Sequence, residues 1–182
     1  NKNKFKFGAN LYMNLIRSFK FYVLISLLAV LGGCASSSSI NLVGDSSIAG
    51  NLSIDSVTVT NSTGENFDGA DVVALMRSAT EDQVKTKNLT PTESTGTSYK
   101  LEIDIVQYSK GNAVARWMLP GAGKTILSVE ARLKDNVGAV IAESQATESI
   151  GAGGLYTIGA WKRVFDKVAN SLVTDIAGLV NN

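Results

Sequence analysis

Apolar and polar residues alternate most cleanly from Tyr99 to Tyr108, YKLEIDIVQY. Tyr99, Leu101, Ile103 and Ile105 fall on one side, Lys100, Glu102 and Asp104 on the other. A period of two is that of a half-buried strand. Thr125 to Lys134 repeats it, with Leu127, Val129, Ala131 and Leu133 set against Ser128, Glu130, Arg132 and Lys134. Fainter alternation predicts strands at Ser53–Thr60, around Val57 and Val59, and at Ala139–Glu148, around Val140 and Ala142. Between the last two, Asp135-Asn136-Val137-Gly138 reads as a hairpin turn, Asn and Gly supplying positive φ. Two other stretches carry the 3–4 spacing of amphipathic helices. In Asp68–Lys87 the apolar positions are Val72, Leu75, Met76 and Ala79, with Asp68 or Asp71 placed to cap the first turn. In Ala160–Val180 they are Trp161, Val164, Phe165, Val168, Leu172, Ile176 and Leu179. The pattern predicts a single α+β domain: a mainly antiparallel sheet of about four strands, in the order β-α-β-β-β-α, with two helices packed on one face. Lys100, Glu102, Asp104, Glu130 and Arg132 then share the outer face of that sheet.

One apolar run fits neither period. Phe21 to Leu31 is broken only by Ser26, follows the basic residues Arg17 and Lys20, and ends in Leu31-Gly32-Gly33-Cys34 and four serines. A secretory signal has a basic flank, an apolar stretch of about 7–15 residues and a small-residue cleavage site. A membrane-spanning helix needs roughly 17–25 apolar residues, more than this run holds. Leu31 to Cys34 resembles the lipobox of bacterial lipoproteins. That resemblance implies cleavage between Gly33 and Cys34 and a diacylglyceryl group on the Cys34 thiol, with the new amine acylated. The alternatives are an ordinary cleaved signal leaving a free cysteine, or an uncleaved membrane helix. Met13 opens an n-region of normal length, and residues 1–12 are upstream translation or a long leader. The expected organisation is leader and signal peptide at 1–33, lipidated Cys34 with a Ser-, Gly- and Ala-rich flexible tether to residue 52, and a periplasmic α+β domain over 53–182. Ala35, where an aspartate in Gram-negative lipoproteins implies inner-membrane retention, implies an outer-membrane address. The membrane is therefore an expected partner, through the lipid on Cys34.

Composition narrows the chemistry. Removing 33 of 182 residues leaves 149, one domain with a real core. The 17 basic residues less the five before the cut leave 12 against 16 acidic ones, a net −4. Nucleic-acid binding requires a basic footprint, which this domain lacks. The chain has no histidine and a single cysteine, Cys34. Ser-His-Asp and Cys-His catalysis and His- or Cys-ligated metal sites are thereby excluded, and no metal or other cofactor is expected. A carboxylate mechanism through Glu102, Asp104 or Glu130 stays open, but the residues carry no catalytic constellation.

Gly121-Ala122-Gly123-Lys124-Thr125 imitates the end of a phosphate-binding loop, G-x-x-x-x-G-K-[ST]. Met118 stands where the first glycine belongs, and a period-2 strand follows where a helix should hold the phosphate. The glycines instead suit a bend or bulge before the strand, and no nucleotide is expected. Ala115-Arg116-Trp117, then PGAGKTILSVEARLKD and Gly138 with Val140-Ile141, together with the lipobox, is similar to bacterial lipoproteins carrying a DUF4410 domain. The likeness covers about Val57 to Ser149. It implies an outer-membrane-associated lipoprotein and lends no catalytic residue. Three functions follow as expectations: a lipid-anchored interaction or envelope-assembly module, a binder of a small or lipidic ligand between helices and sheet, or a carboxylate enzyme. The first is preferred, with Trp117, Lys124 and Tyr156, beside the glycine-rich stretch 149–159, as its candidate interaction surface. Trp161 joins Trp117 and Lys124 as a position to probe.

Overall fold

The strand periodicities are realised in a computed structural model of the chain, which describes residues 34–44, 48, 52–67, 69–92, 97–119, 121–151 and 159–181. Five strands form one sheet: β1 (Cys34–Leu42), β2 (Leu52–Asn61), β3 (Thr97–Ser109), β4 (Thr125–Lys134) and β5 (Val140–Ile150). Among the described residues, three α-helices accompany them: α1 (Val72–Thr86), α2 (Ala113–Met118) and α3 (Ala160–Gly178), the last running on into a 3-10 turn at Leu179–Asn181. The order across the sheet is β1-β5-β4-β3-β2. β1–β5, β5–β4 and β4–β3 are antiparallel, and β2–β3, joined through α1, is parallel. This is the expected α+β domain, with one strand more than the sequence pattern shows.

The added strand is β1. Residues 35–50 read as a flexible tether because serine is a poor strand former and the tract has no apolar alternation. The structure corrects that reading for Cys34–Leu42, which pairs with β5 in unbroken register from Cys34 opposite Ile150 to Leu42 opposite Ala142. Backbone pairing to the free edge of β5 requires no apolar side chains, because an edge strand meets a neighbour on one side only. Two local contacts fix it. Ile40 packs on the core, and Ser144 Oγ donates to the Ser39 carbonyl at 2.9 Å.

α1 and α3 cover one face of the sheet. Between them and the strands lie Met76, Leu101, Ile103, Ile105, Leu127, Val129, Leu133, Phe165, Leu172 and Ile176, all fully buried. These are predicted apolar positions of α1, β3, β4 and α3. Asp71 caps α1, its carboxylate accepting from Ala74 N–H at 2.9 Å; Asp68 lies outside the described residues. In the β4–β5 turn only Gly138 of the Asn-Gly pair takes positive φ. Asp135 closes the turn by accepting from Val137 and Ala139 N–H at 3.0 and 2.8 Å, so Asn136 needs no left-handed conformation.

The register places particular residues at the two ends of the sheet. β3 ends, β4 begins, β5 ends and β1 begins at the same end: Cys34 faces Ile150, and Ile150 faces Thr125. At a strand spacing of about 4.8 Å, Cys34 lies roughly 10 Å from Thr125 across the sheet. α2 and the start of α3 belong to this end too. Val137, in the β4–β5 turn, marks the other.

Candidate functional site

The segment between β3 and β4 folds into α2. Asn112 starts it, its side-chain oxygen accepting from Val114 and Ala115 N–H at 2.9 and 3.1 Å. The helix has inverted polarity. Its arginine, Arg116, is buried, while Val114, Trp117, Met118 and the following Leu119 are exposed, Trp117 to 74%. Val114, Trp117 and Met118 are three and four residues apart, so they share one side of the helix. Covering a side chain of this size is worth about 1.5–3 kcal/mol, so four exposed together form an unusually costly surface.

Polar contacts hold the ridge outward. Arg116 donates to the Gly123 carbonyl at 2.7 Å and to Thr125 Oγ1 at 3.0 Å. Thr125 Oγ1 in turn donates to the Lys110 carbonyl at 2.8 Å, and Asn112 N–H donates to the Gly123 carbonyl at 3.0 Å. Burial pulls the Arg116 guanidinium below the usual arginine value. The glycines of the imitation phosphate loop serve this corner. Gly111 and Gly123 have φ of +67° and +58°, and a Cβ on Gly111 would lie 2.5 Å from the carbonyl oxygens of Gly123 and Lys124. The bend expected before β4 is thus present, and the Gly123 carbonyl is already engaged within it.

Cations share this end of the sheet. Lys110, Lys124, Lys162 and Arg163 are all exposed at this end. The Lys124 side chain runs over Gly151, just past the end of β5. Lys110 and Lys162 place their ammonium groups 4.9 and 5.0 Å from the ring of Trp161, a cation–π arrangement on both. Beneath, Tyr108 stacks edge-on with Phe67 (4.8 Å) and tilted against Phe165 (5.3 Å), and its hydroxyl donates to the Trp161 carbonyl at 3.4 Å. Burial pushes the Tyr108 phenol above its usual range. Of the predicted interaction surface, Trp117 and Lys124 therefore flank one corner, and Tyr156 lies outside the described residues, as does Gly33. Cys34 opens β1 at the same end of the sheet.

A model for a domain of unknown function, DUF4410, matches residues 41–154, more than half of the chain. The chain belongs to the DUF4410 family. The match encloses the region from Val57 to Ser149 whose motifs carried the resemblance. No curated protein matches the chain. Among solved structures, it is similar to a dodecameric PelC variant from Paraburkholderia phytofirmans, with 15% identity, a TM-score of 0.48, and 76% of this chain and 97% of that one covered. It is also similar to a candidate lipoprotein from Caulobacter crescentus CB15, with 15% identity, a TM-score of 0.37, and 69% and 88% covered. A third is a DUF330-family protein from Xanthomonas campestris, with 13% identity, a TM-score of 0.44, and 72% and 86% covered.

The uncovered face of this DUF4410 sheet carries the predicted charges. Glu102 is ion-paired with Lys134 at 2.7 Å, Asp104 accepts from Thr60 Oγ1 at 3.0 Å, and Glu130 stands opposite Asp104 across the β3–β4 ladder. These carboxylates lie along an open surface. Beside the β3 bulge the same face has a shallow hollow of about 540 Å³ lined by Val106, Gln107, Ser128, Glu130, Gln145 and Thr147. The alternative of a ligand held between helices and sheet falls where Met76, Phe165 and Leu172 are fully buried. No group of metal-ligating residues occurs among the described residues, and no described helix is long and apolar enough to cross a membrane.

Proposed function

We propose that this DUF4410 protein is a bacterial lipoprotein, held at the outer membrane by acyl chains on Cys34 and facing the periplasm. In this reading its domain is a non-enzymatic interaction or envelope-assembly module that offers its open, mixed-charge sheet face to an envelope partner. The observation that carries the reading is positional. Cys34, the residue the lipobox pattern marks for lipidation, is the first residue of β1, at the sheet end that also bears the outward apolar side chains of α2. An anchor there leads straight into a folded sheet, with the opposite end and the uncovered face left free.

Expression of the full chain in a Gram-negative host with labelled palmitate tests the anchor. The wild-type protein is expected to take up label and to band with outer membrane on a density gradient. Cys34→Ser is expected to lose the label and leave that band; retention there without label or processing overturns the anchor. A photoreactive residue at Glu130 tests the module: a reproducible crosslink to an envelope protein supports it, and a correctly anchored protein that crosslinks to nothing counts against it. A second reading, a small polar ligand seated in the hollow at Gln107, Ser128 and Gln145, is favoured only by the shape of that surface.

A further inference from the structure

The apolar ridge of α2 and the cations that share its end of the sheet point to an occupant, and we infer that this end of the domain docks onto a phospholipid bilayer carrying anionic headgroups. The inference deepens the proposed function and rests on it, because the acyl chains on Cys34 bring the surface to the membrane. Val114, Trp117, Met118 and Leu119 project from a corner about two strands from Cys34. An anchor of a few ångströms' reach therefore holds these side chains against the bilayer. Their chemistry suits its interface. Tryptophan favours the headgroup level, where an apolar ring and a polar N–H are both accommodated, and Met and Leu favour the acyl boundary below it.

Charge selects lipid over a protein partner. Lys110 and Lys124 stand in the segments either side of α2, and Lys162 and Arg163 begin α3 at the same end of the sheet, although the domain as a whole is acidic. Lysines keep their stems along apolar surface and their ammonium groups at the phosphate level. Of the exposed carboxylates at this end, Glu65 and Asp71 stand beyond β3 where β2 leads into α1, away from the Cys34 corner, and Asp166, one turn beyond Lys162 and Arg163 on α3, offsets part of the positive charge there. The anchoring geometry, the apolar side chains and the local positive charge thus coincide. The buried Arg116 clamp fixes the ridge in its outward position before any contact is made.

The test uses the full-length product, processed and lipidated by the cell and reconstituted into vesicles of phosphatidylethanolamine and phosphatidylglycerol. Trp161→Phe leaves Trp117 as the single tryptophan. On these vesicles Trp117 is expected to be shielded from aqueous iodide and quenched by lipids brominated along the acyl chain. Lys110→Gln and Lys124→Gln are each expected to lower the docked-to-undocked ratio about fivefold, and to have little effect on phosphatidylcholine vesicles. A protein that floats with the vesicles while Trp117 stays open to iodide overturns the inference and leaves the anchor intact. Shielding from iodide without quenching by brominated lipid also overturns it, since a protein surface or a second copy then covers the ridge. A protein that does not float overturns the anchor, and the inference with it.

Discussion

Gly111 and Gly121 separate two reasons for a glycine. Both have positive φ, +67° and +87°, which costs an ordinary residue about 1–2 kcal/mol. Only Gly111 is also crowded: a Cβ there meets the Gly123 and Lys124 backbone at 2.5 Å, whereas nothing lies within 4 Å of a Cβ on Gly121. Gly111→Ala is therefore expected to destabilise the domain by more than about 2 kcal/mol, because backbone oxygens cannot yield as a side-chain tip can. Gly121→Ala is expected to cost only the conformational term. Chemical denaturation of the two variants measures the difference, and equal losses would remove the close-packed corner from the account. The glycines and the bend before β4 were legible in the sequence. Arg116 was not: a charged residue one position from Trp117 and two from Val114 and Met118 reads as the solvent side of a segment, and only the Gly123 and Thr125 acceptors reverse that.

Elements whose apolar side faces the core could be read from their periods, which is why β3, β4, α1 and α3 lie where the pattern places them. β1 and α2 escaped because neither uses a buried apolar stripe to define itself. α2 turns its apolar residues outward, and β1 is a serine tract whose partner is the free edge of β5. An edge strand held by one ladder and by one half-buried side chain, Ile40, opens with lower free energy than the central strands. Amide hydrogen exchange is expected to show β1 losing protection well before β3 and β4. Ile40→Ser is expected to bring β1 exchange close to that of an unfolded chain while β3 and β4 stay protected. A variant that lost protection across the whole sheet would mean that β1 is part of the cooperative core rather than an addition to its edge. The point bears on the anchor, since a strand that frays at Cys34 gives the acyl chains slack that a paired strand does not.

At the scale of the molecule, docking fixes an orientation. With Cys34 and α2 at the bilayer, the strands run away from it, and the β4–β5 turn is carried the length of a strand into the periplasm. β4 has ten residues, and at about 3.3 Å per residue Val137 is roughly 33 Å beyond the α2 corner. Val137 is 89% exposed and Val114 is exposed as well, so a cysteine at either position can be labelled without disturbing the core. Cys34 is the chain's single cysteine, so once it is lipidated the introduced thiol alone reacts. Energy transfer from a donor at Val114→Cys to an acceptor at the lipid headgroups is expected to be strong, and transfer from Val137→Cys weak, in the same reconstituted vesicles. A domain lying on its open sheet face would give similar transfer from both sites, and one swinging freely on its anchor would average them. Only a strong contrast between the two positions leaves the charged face, with Glu102, Asp104 and Glu130, standing clear of the lipid and open to a partner along its whole length.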